Sequence, residues 1–349
     1  MVDFAAIAER PAAVEEPLLD FARCRQMINE PGGFEDPRFL RSLDHWARSR
    51  PADPEILHLQ TYAAWIRDQR HPERTLALEL GRRLATLLPR NASALRMLGA
   101  VALSKHGWLE AYLAFAGAAF ADPPLICQAE LRLALVLMQG KDQVSFRFGG
   151  ETYGFPLSVH TTQAYESSMV HCSDKLTEAE ELSYIEQLVP QGCSLVEVGV
   201  LLGNHTAFFQ KRLRPAQLVL VEADPACLPL IQRTVALNNV GTADIYLHHA
   251  FVGRAGGTAS MGDVSFETKA LDELVAGSAD FIKIDVDGAE LDALAGAERL
   301  LSTGDPVLMI EVRNTTAAIV DSWLEARGFA LVRRFEHGSY ANCVYRRRR

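Results

Sequence analysis

Val196-Glu197-Val198-Gly199-Val200-Leu201-Leu202-Gly203-Asn204-His205-Thr206 reads as a buried β-strand that runs through a glycine-flanked loop into the start of a helix. The same alternation recurs on both sides of this stretch. Strands are expected over 194–198, 217–222, 244–247, 281–285 and 307–312, with helices over 204–213, 225–238, 289–301 and 316–327. The order predicts an α/β fold, a doubly wound parallel sheet with helices on both faces. After Gly328, residues 330–335 and 342–346 are expected to add an antiparallel pair, making seven strands with the last one antiparallel. Pro229 removes a backbone donor early in the second helix and is expected to kink it.

Toward the N-terminus, residues 144–148 and 152–155 alternate around Gly149-Gly150, a hairpin signal. Residues 156–173 show no clear period, and 177–188 reads as a helix capped by Thr177 with Glu180. Upstream, from about Phe39 to Met138, apolar residues recur at helical spacing, and 56–68, 73–88, 92–105, 109–121 and 125–138 read as five helices with short joints. Pro89 and Pro123 lie 34 residues apart, as do Ala77 and Ala111, and 34 is the tetratricopeptide period. Leu98, Gly99, Ala111, Phe115, Ala118 and Pro123 fall where that motif wants them. Small residues bring paired helices close, and Phe115 fills the gap. The region resembles a short tetratricopeptide-type array, with a generic helical bundle as the plainer alternative. Two domains are expected. Residues 1–140 are all-α, with a loose leader over 1–35 carrying one short helix. Residues 141–349 open with the hairpin and a linker to 176.

The 349 residues are 48% hydrophobic and 23% charged, which excludes a disordered chain. A net charge of -9 excludes broad nucleic-acid binding, which needs a basic face. The one basic run, 346–349, is read as a solvated tail. No apolar run approaches the roughly 18 residues of a membrane span, and Met1-Val2-Asp3-Phe4 lacks the basic start of a signal peptide. Cys24, Cys127, Cys172, Cys193, Cys227 and Cys343 lie apart with no C-x-x-C pair, so neither a zinc knuckle nor a disulfide framework is expected. The expected setting is the cytoplasm.

The loop from Gly199 to Gly203 decides the ligand. A dinucleotide fold wants G-x-G-x-x-G, whose middle glycine lets the backbone touch a pyrophosphate. Leu201 fills that slot and no third glycine follows, which argues against a nicotinamide dehydrogenase. Glu222 ends the next strand 23 residues after Gly199, where a carboxylate can accept both hydroxyls of a ribose. A ribose and an amino-acid tail without phosphate describe S-adenosylmethionine. Glu197 is the candidate acceptor for its ammonium, and Asn204, His205 and Thr206 at the helix start for its carboxylate. Ala250 and Phe251, after the third strand, are candidates beside the adenine, with core packing an almost equal reading for Phe251.

Residues 194–312 resemble the FkbM-type family of S-adenosylmethionine-dependent methyltransferases. The motifs are 196–206, Val221-Glu222-Ala223-Asp224-Pro225 with Leu237-Asn238-Asn239, Ala250-Phe251-Val252-Gly253 and Ala270-Leu271-Asp272-Glu273-Leu274. They continue through Phe281-Ile282-Lys283-Ile284-Asp285-Val286-Asp287-Gly288-Ala289-Glu290 to 306–312. The resemblance implies a seven-stranded Rossmann-like sheet and methylation of hydroxyls on sugars or natural products. Leu201 stands where the family usually has Asn, and Asp287 where it often has Glu.

Phe281, Lys283 and Asp285 share one face of their strand. A lysine and an aspartate on a central parallel strand must be paired or face a wet cleft. Asp285, at the carboxyl end, is the leading catalytic candidate and also a cofactor-binding candidate, near the sulfonium or the acceptor oxygen, followed as a catalytic candidate by Glu311 at the equivalent end of the next strand. Lys283 is a third, equally readable as a structural ion-pair partner. His160, His171 and His337 are candidate bases on flanking segments. No metal is expected from Asp285, Asp287 and Glu311, since 285 and 287 point to opposite faces if the strand continues. The expected enzyme is an O-methyltransferase acting on a small-molecule or glycan acceptor. Its rival is an interaction protein, whose helical region meets a protein partner and whose methyltransferase fold is inactive or senses cofactor. No motif specifies the acceptor or an oligomeric state.

Overall fold

The computed structural model describes residues 18–27, 36–69, 74–121, 128–241, 243–261 and 264–348. They fall into two units, Met1–Gln139 and Gly140–Arg349. Most of the expected leader, together with Pro123, lies outside the described residues.

The first unit is helical: α1 (Phe21–Met27), α2 (Pro37–Ser49), α3 (Pro54–Gln69), α4 (Leu76–Leu87), α5 (Ala92–Ser104), α6 (Trp108–Ala121) and α7 (Gln128–Met138). Consecutive helices from α2 onward pack on one another. A Cβ on Gly99 would lie 2.5 Å from the Phe115 ring, so α5 and α6 approach at a distance only glycine allows. Ala111, Phe115 and Ala118 are fully buried beside it. The five expected helices are present, with ends that differ by a few residues among the described ones; residues 73 and 125–127 of the expected spans lie outside the described residues. Helix α2 lies at the start of the stretch of helical spacing that begins near Phe39, although it was not among the five named helices; Phe39 and Leu43 are its buried apolar residues.

The second unit begins with β1 (Gln143–Phe148) and β2 (Glu151–Pro156), a separate antiparallel hairpin. Helices α8 (Thr162–Cys172) and α9 (Ala179–Leu188) follow. Next come β3 (Ser194–Val198), α10 (Asn204–Arg212), β4 (Gln217–Glu222), α11 (Leu228–Asn238) and β5 (Asp244–His249). A small insertion holds β6 (Phe251–Val252), β7 (Thr258–Met261) and β8 (Val264–Lys269), then α12 (Leu271–Leu274). The chain ends with β9 (Phe281–Ile284), α13 (Glu290–Ala295), α14 (Glu298–Thr303), β10 (Val307–Arg313), α15 (Ala317–Glu325), β11 (Phe329–Glu336) and β12 (Tyr340–Arg347).

Seven strands form one sheet in the order β11-β12-β10-β9-β3-β4-β5, parallel except for the last strand, β12. Period-two alternation builds two cores. Val196, Val198, Ile282 and Ile284 face one, with residues of α12 to α15. Leu195, Leu218, Phe281 and Met309 face the other, with the hairpin and α9 to α11.

Several expectations need correction. Residues 162–172 are helical: α8 buries Ser168 and His171 as well as Ala164 and Tyr165, so its buried face is not an apolar one. Helix α9 starts at Ala179, and Thr177 does not cap it. Pro229 is the second residue of α11, where its missing N–H has no intrahelical acceptor to lose, so it begins the helix instead of kinking it. The helix expected over 289–301 is two, broken at Gly296 and Ala297. The arginine run is no tail through residue 348. Arg347 lies over the Phe329 ring at 4.9 Å, and Arg348 pairs with Glu325.

Candidate active site

The strand order reverses at β3, which lies between β4 and β9. Doubly wound sheets bind ligands in the crevice outside the carboxyl ends of the strands at such a point. Gly199 makes the crevice possible. Its φ is 77°, and a Cβ there would lie 1.7 Å from the Asp285 carbonyl oxygen, so only glycine lets the two strand ends meet.

Glu222 fixes the loop. One carboxylate oxygen accepts from the N–H groups of Val200 and Leu201, each at 2.9 Å. The other accepts from Ala223 and Asp224, each at 2.8 Å. The residue read as a ribose acceptor is therefore also the staple of the loop. Leu201 adopts φ 53°, a left-handed conformation that costs most side chains roughly 1–2 kcal/mol and that asparagine tolerates. The asparagine usual in the family thus has a backbone reason.

Glu197 and Lys283 are register neighbours on β3 and β9. Both are buried. Thr206 Oγ1 donates to Glu197 Oε2 at 2.6 Å, and Lys283 Nζ donates to Asp285 Oδ2 at 3.0 Å and to the Gly199 carbonyl at 3.2 Å. Burial pushes the Glu197 carboxyl up, against the pull of Lys283 and His205. Burial alone would lower Lys283, but Asp285, Glu197 and Glu178 hold it above its ordinary value. The Asp285 side chain stays 32% exposed against 4% for Lys283, so the ion pair opens on the crevice at its carboxylate end.

Glu178 completes the cluster, and the expected capping box concealed it. It precedes α9 at φ 57° and turns its side chain to His205. Oε2 lies 3.0 Å from His205 Nε2, an ion-pair distance without the alignment of a hydrogen bond. Although burial works to raise it, His205 and Lys283 hold Glu178 down to about 2. Tyr340 and Asn342 of β12 were also missed. Asn342 sits opposite Glu311, so it is the pairing of β12 with β10, and not the expected pairing with β11, that brings it to the site. Burial, then Glu178, Glu311 and Asp285, pushes the Tyr340 hydroxyl up to about 12.

At the helix start, the side chains expected to meet a carboxylate are engaged elsewhere. Asn204 exchanges two hydrogen bonds with the Thr177 backbone, both at 3.0 Å. His205 faces Glu178, and Thr206 faces Glu197. What remains for a ligand is the first-turn N–H groups of α10, which have no intrahelical acceptor. Ala250 packs against the core, and the Phe251 ring stacks on Phe266 at 4.4 Å, the packing alternative. His171 is buried and stacked on Phe155 at 3.7 Å, where burial lowers it to about 4, so it is no surface base. His337 is held by Glu181. Strand β9 stops at Ile284, so the opposite-face argument about residues 285 and 287 lapses. Asp287 instead faces Arg313 at 3.4 Å. A concavity lined by Glu186–Gln191, Arg212 and Leu213 lies by the start of β3, away from this cluster.

Glu311 is pushed up to about 8, by burial first and then by Asp285, Glu178 and Asp287. Unfolded, such a carboxyl titrates near 4.5. Between those values the folded chain holds a proton that the unfolded chain has released, so this contribution to stability is full below the window and declines as pH rises through it. Glu311→Gln should therefore match wild type in denaturant melts at pH 4 and exceed it at pH 9 by about 1–3 kcal/mol. Parallel stability curves would remove the buried-carboxylate account.

Three buried polar atoms of this region have no aligned partner: Thr177 Oγ1, His205 Nε2 and Asn342 Nδ2. Unsatisfied groups of this kind are what a bound polar ligand would relieve.

The family profile described as the methyltransferase FkbM domain matches residues 197–331. No curated protein matches the sequence. Among solved structures, methyltransferase FkbM from Methylobacillus flagellatus KT is 17% identical, with 63% of this chain and 59% of that chain covered and a TM-score of 0.40. Ribosomal protein L11 methylase from Lactobacillus delbrueckii subsp. bulgaricus is 15% identical, with 49% and 79% covered and a TM-score of 0.37. TYW2 of M. jannaschii, solved in complex with AdoMet, is 12% identical, with 59% and 87% covered and a TM-score of 0.37. Behind its helical N-terminal region, the chain carries in residues 197–331 a methyltransferase domain of the FkbM family.

Proposed function

We propose that the second unit binds S-adenosylmethionine and transfers its methyl group to a hydroxyl of a sugar, glycan or natural product. The observation that carries this is the convergence of carboxyl groups on the switch-point crevice. Glu178, Glu197, Asp285 and Glu311 act on one another there, with Lys283 as their buried cation. A site with surplus carboxylate suits a ligand bearing both an ammonium and a sulfonium. The residues also fit its other parts. Glu197 would take the ammonium, and the first-turn N–H groups of α10 the carboxylate. Glu222 would meet the ribose, and Ala250 and Phe251 would flank the adenine. The cofactor supplies the methyl group. The protein aligns the acceptor and excludes water. Asp285, with one oxygen on Lys283, would orient the acceptor hydroxyl. Glu311, tuned to about 8, would take its proton on a carboxylate oxygen.

The helical unit is proposed as a separate tetratricopeptide-like domain that meets a protein partner. Leu109, Leu113 and Phe120 lie exposed along one side of α6 in support of that role.

Calorimetry should give one S-adenosylmethionine per chain, and the same affinity for residues 140–349, since every site residue lies there. Glu222→Ala should weaken binding by about 1–3 kcal/mol, from both the ribose contact and the loosened loop. Unchanged affinity in that variant would take Glu222 out of the site. Labelled cofactor incubated with cell extract then separates an enzyme, which labels an acceptor fraction, from an inactive scaffold, which labels none.

A further inference from the structure

We propose that His160, Asp224 and Cys227 form a divalent-cation site of the zinc type, which ties the segment before α8 to the turn between β4 and α11. Its ligand atoms converge from two distant parts of the sequence. His160 Nε2 lies 3.7 Å from Asp224 Oδ2 and 3.9 Å from Cys227 Sγ, and the remaining pair is 3.8 Å apart. All three atoms lie within 4.8 Å of one another, and they make the one group of this kind among the described residues.

The spacing is informative. At 3.7 Å the imidazole and carboxylate are too far apart for a hydrogen bond. Zinc bonds of roughly 2.0–2.3 Å would set tetrahedral ligand atoms about 3.3–3.6 Å apart, so the cluster needs to close by only a few tenths of an ångström. Nitrogen, oxygen and sulfur donors in one site suit a borderline-soft ion such as zinc better than magnesium or calcium, which want oxygen alone.

Each ligand is also held from behind. The second ring nitrogen of His160 is bonded to Ser158 Oγ, an arrangement that fixes the ring of a metal-bound histidine. Asp224 Oδ1 accepts the Ala226 N–H at 2.8 Å, leaving Oδ2 directed at the other two ligands. Cys227 is buried at the N-cap of α11, where burial and then the Glu222 and Asp224 carboxylates push its thiol up, so the cation itself must displace the thiol proton. His160 and Asp224 remain about 30% exposed, which leaves room for water as a fourth ligand. On binding, the thiol proton passes to solvent and the sulfur lone pair to the cation. The absence of a C-x-x-C pair hid the site: 67 residues separate His160 from Cys227.

The test uses the full chain, stripped with chelator and titrated with cobalt(II), then zinc(II). One equivalent of cobalt should produce a thiolate charge-transfer band and the intense visible bands of a four-coordinate ion, and zinc should displace it. Zinc at about 100 times its Kd should raise the Tm by roughly 5 °C. Cys227→Ser should lose the charge-transfer band, and His160→Ala, at a half-exposed position, should lose stoichiometric binding. Ser158→Ala should weaken binding by about 10–100-fold, as removal of a metal-site hydrogen bond does. Circular dichroism of the stripped variants checks that each is folded. Cobalt that fails to saturate at one equivalent, or a charge-transfer band that survives Cys227→Ser in a folded protein, would overturn the proposal.

Discussion

Replacing Lys283 by methionine should cost the folded chain about 3–5 kcal/mol at pH 7, the usual result of removing one partner from a buried ionic group. That corresponds to a fall in Tm of roughly 10 °C. Methionine keeps the length and most of the apolar stem, so the loss is one of charge. Lys283 lies beside Glu197 and donates to Asp285, and its field also lowers Glu178. Without it these carboxylates have only His205 nearby. The pH dependence identifies the cause. In wild type, Glu178 has a folded pKa of about 2 against an ordinary 4.5. Its ionised form therefore contributes stability that is present above the ordinary value and is lost as pH falls through about 2. In the variant the carboxyls rise and bind protons in the folded state, so the deficit should be largest at neutral pH and shrink toward pH 4. Urea melts at both pH values measure it. An equal deficit at each would mean that packing of the lysine stem, and not its charge, is what the fold needs.

The central strands β3, β4, β9 and β10 were legible because each is buried on both faces and reads as an apolar run broken by turn residues. Val196 to Val198 and Phe281 to Ile284 interrupt that run with one charge each, Glu197 and Lys283, and those two charges are what the register sets side by side. A charge that breaks a buried strand is a readable signal. Glu178 gave no such signal. Thr177 with Glu180 has the pattern of a helix cap, but the chain takes a left-handed step at Glu178 and spends that side chain on His205. Helix α8 escaped for a related reason: a helix that buries Ser168 and His171 has no apolar stripe to detect. The present partners of Asn204 and His205 were not legible because sequence gives a helix start but not what occupies its side chains. Asn204 holds the backbone of Thr177 from 27 residues away.

Asp285→Asn should lower kcat by about 10²–10⁴-fold, the range for loss of a group that handles a proton in the transition state, with little change in cofactor Kd. The substitution keeps shape and leaves an amide oxygen for Lys283, so folding should survive. A second readout separates a role in the reaction from a merely structural one. After burial, Asp285 is the strongest influence holding Glu311 up to about 8. With that charge gone, the Glu311 carboxyl becomes easier to ionise. If Glu311 takes the acceptor's proton, wild-type turnover should rise with pH to a midpoint near 8, and in Asp285→Asn the midpoint should move to lower pH. Glu311→Gln should abolish the rise. These profiles are measured with the acceptor that labelled cofactor identifies. A lowered kcat with an unmoved profile would leave Asp285 orienting the acceptor independently of Glu311. A raised cofactor Kd at unchanged kcat would make Asp285 a cofactor contact. Full turnover with an unmoved profile would reduce it to the surface end of the Lys283 ion pair.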